Sequence, residues 1–487
     1  MEKDVKKILE MQEYFENNRK QLEDNWKEVA SFVRPQREKN NDTRVLYDST
    51  AILSAEYLIN ALLGLSADYS TNFFEVIDKK DRKNLEILEY LKTVEKILKS
   101  NIFDNKNSFY QKIYEFYADL VCFGSAIFYV GEDGKSNSVR YEVLNLENTY
   151  FGSIMGSKID TVFEKLFLNV EQIKEMFPDF AFTKQLKEFE IKNDNKKFEI
   201  IHAVLPVDFL DTKKAKLKNM KFASYYILRE EGSIICIDGY YELPYICARW
   251  NTYTNECYGS SPALSAMADI KIVNSMMKSI LIATQKEVDP PMLVPNEMSI
   301  SGIRTNPGGV IYGGIDPITG NQMFRPLVSN FNMGGVLEVL KQRQEIVKEA
   351  FLYSLFSIFN ISEATATEIN NVNDQRKKLL SAKISRIQNE FLYPFILRHY
   401  FILNRMGELP LLPENMEIND IDFVFKNYGE DINKKLKDKN LEELLLFITK
   451  IENIKPEVIE NVNFDEILAS YVKVKNLDYE ILKNLGN

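Results

Sequence analysis

The chain has 487 residues, 45% of them hydrophobic and 27% charged, a balance that suits about two to four compact units and excludes a disordered or collagen-like chain. Its 61 Lys and Arg against 71 Asp and Glu give a formal charge of −10, which excludes a tight sequence-independent DNA binder but not a surface past which DNA slides. Four cysteines without a paired motif (Cys122, Cys236, Cys247, Cys257) imply reduced thiols in a cytosolic setting, and His202 and His399 are too few for a histidine metal site.

The start, Met1-Glu2-Lys3-Asp4, is charged at once, so no signal peptide is expected. Residues 1–33 predict one amphipathic helix. Val5, Ile8, Leu9, Tyr14, Phe15, Leu22, Trp26, Val29 and Phe32 recur at helical spacing, and Arg34-Pro35 ends the run. Asp48 is placed to cap a second helix, with Ile52, Ala55, Leu58, Ile59 and Leu62 as its apolar face. This stretch, 51–65, is the most apolar helical run. It carries Glu56 and Asn60 and is too short to span a bilayer, so a soluble protein without a membrane partner is expected.

Residues 85–121 predict two helices parted near Asn105. The period then switches to alternation, and 126–130 and 139–144 read as a hairpin turning at Glu132-Asp133-Gly134-Lys135. Gly134-Lys135-Ser136 imitates the end of a phosphate-binding loop. That loop needs glycine where Tyr129 stands and a helix where a strand follows, so nucleotide binding is rejected. From Tyr150 to Trp250 short strands alternate with a helix near 170–177, and 224–228 with 233–237 predict another hairpin. The run Lys213, Lys214, Lys216, Lys218, Lys221 reads as a solvated loop.

From 261 onward the chain predicts long helices. Ser261-Pro262 supplies an N-cap and a first-turn proline for a helix to Glu287, stopped by Asp289-Pro290-Pro291. A Pro- and Gly-rich segment fills 290–335, and a second helix runs from Val336 to about Phe359. After the break Asn360-Ile361-Ser362-Glu363-Ala364, the capping box Thr365-Ala366-Thr367-Glu368 opens a third helix, kinked by Pro394, to about Arg405.

On the first of these helices Lys271, Lys278 and Gln285 share one face, and Ile270, Val273, Met277, Ile280 and Leu281 cover the opposite arc, with Asp269 inside the apolar side. On the second, Val336, Leu340, Val347, Ala350 and Phe351 form a stripe interrupted by Arg343, with Lys341 and Lys348 on the other side. Two arrangements satisfy this pattern. One is an antiparallel pair in a single-chain bundle with lysine stems reaching outward. The other is a pair packed against copies of itself around a ring. There Asp269 and Arg343 would pair within or between subunits, and a lysine row would face whatever passes through the middle. No G-x-S-x-G, H-E-x-x-H or Cys-His context is present, so neither an enzyme nor a cofactor is expected.

Several motifs keep their order over roughly residues 20–410. Trp26 to Pro35 (WKEVASFVRP) is followed by Tyr47-Asp48-Ser49-Thr50-Ala51. Arg249-Trp250-Asn251 leads to Tyr258-Gly259-Ser260-Ser261-Pro262-Ala263-Leu264, then to Asp269, Asn274 and Pro290-Pro291. Ala366-Thr367-Glu368-Ile369 precedes Asn389-Glu390-Phe391-Leu392-Tyr393-Pro394. In these motifs the chain resembles the head-to-tail connector (portal) proteins of short-tailed, T7-like bacteriophages.

The resemblance implies a mainly helical α+β fold with portal-type architecture. Residues 1–260 would form the N-terminal part of a wing, 261–287 and 336–359 the two stem helices, and 288–335 a clip. Residues 360–365 would form a tunnel loop, 366–430 the long wing helix and a return strand, and 431–487 a small helical crown. It further implies a ring of copies, expected to be a dodecamer, at one capsid vertex of the virion, assembled in the host cytoplasm. Double-stranded DNA would pass through during packaging and ejection, and terminase, a tail adaptor and the major capsid protein would dock on it. Asn360, Ile361, Ser362, Glu363 and Ala364 would lie nearest the DNA, Lys271, Lys278, Lys341 and Lys348 are candidates for the channel lining, and Asp269 and Arg343 for contacts between subunits. The alternatives are a terminase-type packaging enzyme, whose Walker loop and nuclease acid cluster are missing, and another virion ring or scaffold without a DNA channel.

Overall fold

Helix α1 (Glu2–Val33) serves two cores along its length of about 48 Å. Its first half lays Val5, Ile8 and Phe15 on one face of a sheet, and its second half puts Trp26, Val29, Ala30 and Val33 into the main core. The computed structural model describes residues 2–35, 46–66, 73–80, 84–133, 138–154, 158–183, 195–210, 219–254, 256–293, 314–322, 325–327, 333–357 and 380–425, with isolated positions 82, 156, 186, 187, 189 and 217. The Gly134-Lys135-Ser136 turn, the lysines from 213 to 218, the break 360–364 with its capping box, and the expected crown 431–487 lie outside the described residues.

The main core is built by α2 (Thr50–Ser66), α3 (Leu85–Ile102) and α4 (Phe109–Phe123) around the second half of α1. Asp48 Oδ1 accepts the Thr50 backbone N–H at 2.8 Å from one residue before the N-cap position, which is Ser49, whose carbonyl accepts the Leu53 N–H; Asp48 thus supports the start of α2 one place earlier than a cap would. The parting of α3 from α4 falls at Asn105–Asn107, as expected near Asn105. Strand β1 (Phe74–Asp78) lies between α2 and α3 in sequence.

Strands β2 (Ser125–Asp133) and β3 (Ser138–Val143) form the first hairpin. Strands β4 (Thr149–Gly152), β5 (Thr161–Leu168), β6 (Phe198–Pro206), β7 (Phe222–Leu228) and β8 (Ser233–Tyr240) form a five-stranded antiparallel sheet in sequence order. Strand β9 (Tyr245–Arg249) returns to pair with β2. The first half of α1 covers one face of the five-stranded sheet, over Ile201, Ala203 and Tyr225. Helix α5 (Val170–Met176) closes the other face over Phe198, Ile200 and Leu228. The architecture is α+β with antiparallel sheets.

Three of the expected long helices differ in detail. The helix from 261 is two pieces, α6 (Pro262–Ser265) and α7 (Met267–Val288), joined at Ala266 with φ −91° and ψ 0°. The helix expected to run from 336 to about 359 is α8 (Met333–Ala350) and α9 (Tyr353–Ser357). Leu352 between them takes φ 59°, which breaks the helix while Phe351 stays fully buried and Tyr353 packs on the Tyr57 ring at 4.8 Å. Packing here overrides helix propensity. The last helix is helical over 380–387, widens into a π-turn at Gln388–Leu392, and continues as α10 (Tyr393–Met406). The wide turn makes room for the Pro394 ring, which would otherwise meet the Glu390 carbonyl, so the kink belongs to the turn as much as to the proline. Strand β12 (Ile421–Phe425) pairs antiparallel with β1, and the ribbon β10 (Met292–Leu293) with β11 (Arg325–Pro326) lies between α7 and α8 in sequence.

His399 on α10 is fully buried, with Nδ1 2.9 Å from the Tyr141 hydroxyl, and burial pushes its pKa down to about 3. The unfolded chain binds this proton near the ordinary histidine value of about 6.5. The stability tied to neutral His399 is therefore complete above that value and is lost as pH falls toward about 3. Unfolding measured against pH is expected to lose about 2 kcal/mol from this group by about pH 5. His399→Leu should flatten that slope relative to the parent; equal slopes would remove His399 from the account.

Candidate functional site

The residues that carry the sequence motifs converge on one place, the root of the α7 and α8 pair. Gly124 ends α4 at φ 79°, a conformation other residues rarely adopt. A Cβ there would lie 2.5 Å from the Gly259 carbonyl oxygen and 2.6 Å from the Ser261 nitrogen. A Cβ on Gly259 would run into the Gly124 carbonyl oxygen. Two backbones thus touch where only glycines fit. The Gly259 N–H donates to Ser125 Oγ at 2.8 Å, the Trp250 N–H to the Gly124 carbonyl at 2.9 Å, and the Ser260 N–H to the Asn251 carbonyl at 2.8 Å. Ser261 Oγ accepts the Leu264 N–H at 2.8 Å and caps α6.

Other motif residues close around this joint. Trp26 donates its indole N–H to the Phe123 carbonyl at 3.1 Å and meets the Tyr258 ring edge-on at 5.6 Å. The Tyr47 N–H donates to Asn274 Oδ1 at 2.7 Å, which ties the loop before α2 to α7. Asp48 Oδ2 accepts Gln344 Nε2 at 2.7 Å, which ties the same loop to α8. Arg249 makes a forked pair with Glu390 of the π-turn, with Nη2 2.9 Å from Oε1, and Arg386 joins Glu390 to Thr252. The two motifs around Arg249 and Glu390, 141 residues apart, therefore meet in space.

The predicted site residues fall as follows. Asp269 and Arg343, misplaced for apolar faces, bond to each other within the chain, Arg343 Nη1 to Asp269 Oδ1 at 2.9 Å, and so set the level at which α7 meets α8. Lys271 pairs with Glu28 of α1, and the Lys278 ammonium stands 5.7 Å from the Tyr47 ring centre. Lys341 is exposed, and Lys348 bonds Glu345 at 2.7 Å. Asn360, Ile361, Ser362, Glu363 and Ala364 lie outside the described residues. Sequence reasoning missed Gly124 and Arg19. The signal for Gly124 was a glycine at the junction of a helix and a strand.

Among the described residues, only the inner side of the helix pair is covered. Met267, Ile270, Val273 and Ile280 of α7 and Leu340 and Val347 of α8 are buried. Ile272, Ile282, Val339 and Ile346 are 42 to 46% exposed, Val288 at the end of α7 is 81% exposed, and Leu293 on β10 is 55% exposed. About half of the strongly exposed large apolar side chains among the described residues lie between 272 and 346, too concentrated to be scattered surface. The described part of 288–335 also holds a tight turn. Asp316 accepts the Ile318 N–H at 3.0 Å and the Thr319 hydroxyl at 2.5 Å, which lowers its pKa and leaves Ile318 92% exposed at the tip.

Burial raises the Cys247 thiol far above its ordinary range, so it is an inert core group. Among the described residues no cluster of His, Cys, Asp or Glu is arranged to hold a metal ion, and no helix is long and apolar enough to cross a membrane. The arrangement offers a rooted helix pair with an uncovered apolar surface.

Comparison with known proteins gives a consistent set of matches. Residues 5–482 match the family described as bacteriophage head to tail connecting protein. The chain is 21% identical over 483 residues to a portal protein of Salmonella phage epsilon15, covering 95% of this chain and 85% of that protein. It is 23% identical over 362 residues to a probable portal protein of Bordetella phage BPP-1, covering 73% of this chain and 65% of that protein.

Proposed function

The chain belongs to the bacteriophage head to tail connecting protein family, and we propose that copies of it form a ring, expected to be a dodecamer, at one capsid vertex. Double-stranded DNA passes through the ring during packaging and ejection. The carrying observation is the helix pair, fixed at its root by the Gly124–Gly259 joint and the Arg249–Glu390 pair, with apolar side chains that stand exposed among the described residues. Such surface is stable in water only when something buries it, and further copies supply matching surface. In this reading residues 1–260 and 366–430 are the wing, 261–287 and 336–359 the stem, 288–335 the clip that docks terminase and a tail adaptor, and 431–487 the crown. The wing meets the major capsid protein, and the ring resides in the virion after assembly in the host cytoplasm.

Two physical points support a conduit. A channel must not hold DNA firmly, because each fixed phosphate contact slows movement, and a chain of formal charge −10 suits that need. The tunnel-loop residues Asn360, Ile361, Ser362, Glu363 and Ala364 include no base. Purified protein is expected to form rings with a central hole in electron micrographs; a monomer at every concentration would refute the ring. Deleting 360–364 is expected to leave rings intact and to abolish DNase-protected packaged DNA. Normal packaging with that deletion would end the tunnel-loop assignment.

A further inference from the structure

The helix pair has chemically distinct sides, and their order around it is informative. On α7, Ile272, Ser275, Ser279 and Ile282 follow helical spacing and form one exposed, uncharged stripe. On α8, Val339 and Ile346 lie on a second exposed apolar stripe. Also on α8, Glu338, Lys341, Glu345 and Lys348 follow the same spacing and make a third side, on which two positive and two negative charges cancel. Lys271 and Lys278 of α7 are exposed at the edge of the α7 stripe, four residues before Ser275 and Ile282, and reach back to Glu28 and Tyr47 of the chain's own body.

Resting on the ring reading above, we infer that the α7 stripe of one copy packs against the α8 stripe of the next, and that the Glu338–Lys348 side of α8 forms the channel wall. The two apolar stripes sit on different helices and differ in shape. One has small serines between isoleucines, and the other has branched side chains that can enter such a surface. A contact between unlike stripes is heterologous and generates a ring when its rotation closes, as the ring reading requires, whereas a stripe meeting its own copy would stop at a dimer. With both stripes used laterally and the inner side held by α1 and α2, the mixed-charge side is left for the hole. Such a wall neither grips phosphates nor repels them strongly. Lys271 and Lys278 leave the list of lining candidates, and Lys341 and Lys348 stay on it.

The helices are antiparallel, with Asp269 level with Arg343, so Ile272 stands level with Val339 one turn further along. The test uses the full chain in a Cys236→Ser, Cys257→Ser background, which leaves only the buried Cys122 and Cys247. Ile272→Cys with Val339→Cys is expected to give a ladder of covalent oligomers on mild oxidation. Ile272→Cys alone is expected to give none, and Lys341→Cys should label with a small maleimide several-fold more slowly in DNA-filled particles than in emptied ones. Rings without the 272–339 ladder would overturn the face assignment and leave the portal reading standing. A covalent dimer from Ile272→Cys alone would overturn the heterologous contact. Equal labelling of Lys341→Cys in filled and emptied particles would overturn the wall, and failure of the unsubstituted chain to form rings would overturn both readings.

Discussion

Gly259→Ala is expected to cost about 3 to 5 kcal/mol of stability, close to the largest effects single substitutions produce. The added methyl would have to stand where the Gly124 carbonyl oxygen is, and 3.0 Å from both Arg249 Cβ and the Asn251 carbonyl oxygen. None of these is the free end of a flexible side chain. Gly124 cannot retreat, because its left-handed backbone closes α4 and its carbonyl holds the Trp250 N–H. On the other side, Gly259 and Ser260 are held by bonds to Ser125 and Asn251. A built-in control is Gly64→Ala on α2, where the position is exposed and nothing lies within 4 Å of a new methyl. That change should stabilise by up to about 1 kcal/mol, since alanine favours a helix interior. Denaturant unfolding of both variants checks the pair of signs, and a Gly259→Ala loss below about 1 kcal/mol would show that the joint yields.

The functional consequence follows from where the joint sits. Ser261, two residues on, caps the short helix that leads into α7. A shift of a few tenths of an ångström at the root is magnified along α7, which is about 33 Å long. Any Gly259→Ala protein that still folds is therefore expected to lose ring assembly while keeping its helical circular dichroism.

The sequence was readable where one side of an element is wet and the other dry. Helix α1 and both hairpins show clear periods, and their positions agree with those periods. Strand β6 could not be read this way, because Ile201, Ala203 and Leu205 face α1 while Phe198 and Ile200 face α5, so its apolar run has no alternation. The pairing of β1 with β12 joins residues more than 300 positions apart, and no local signal fixes such a partner. For the helix pair, spacing placed Lys271 and Lys278 on one side, but only the fold brings Glu28 and Tyr47 to that side. Leu352 reads as an ordinary helical residue, and its positive φ reflects the packing of Phe351 and Tyr353 around it.

Arg19→Met is expected to cost about 3 to 5 kcal/mol, by stranding buried acceptors rather than by losing an ion pair. The guanidinium is wholly buried and lies 3.7 Å from the centre of the Tyr150 ring. It donates to the carbonyls of Leu146, Thr149 and Glu147, the last two at 2.6 and 2.7 Å, and to Glu23 at 2.8 Å. Helix α1 is thereby fastened to the turn that opens β4, and methionine would leave the buried Leu146 and Thr149 carbonyls without this donor, while the Glu147 carbonyl, on an exposed residue, can turn to water. Arg19→Lys should recover less than half of the loss, because an ammonium cannot reproduce a planar fork aimed at three acceptors. Amide exchange at 146–152 and denaturant unfolding would test both variants. Phe15, Arg19, Leu22 and Trp26 follow one another at steps of four, three and four residues. A charge in an apolar stripe of that kind announces a buried partner. If Arg19→Met unfolded within about 1 kcal/mol of the parent, those carbonyls must have found water, and the seam between α1 and the five-stranded sheet would have to be far wetter than its packing implies.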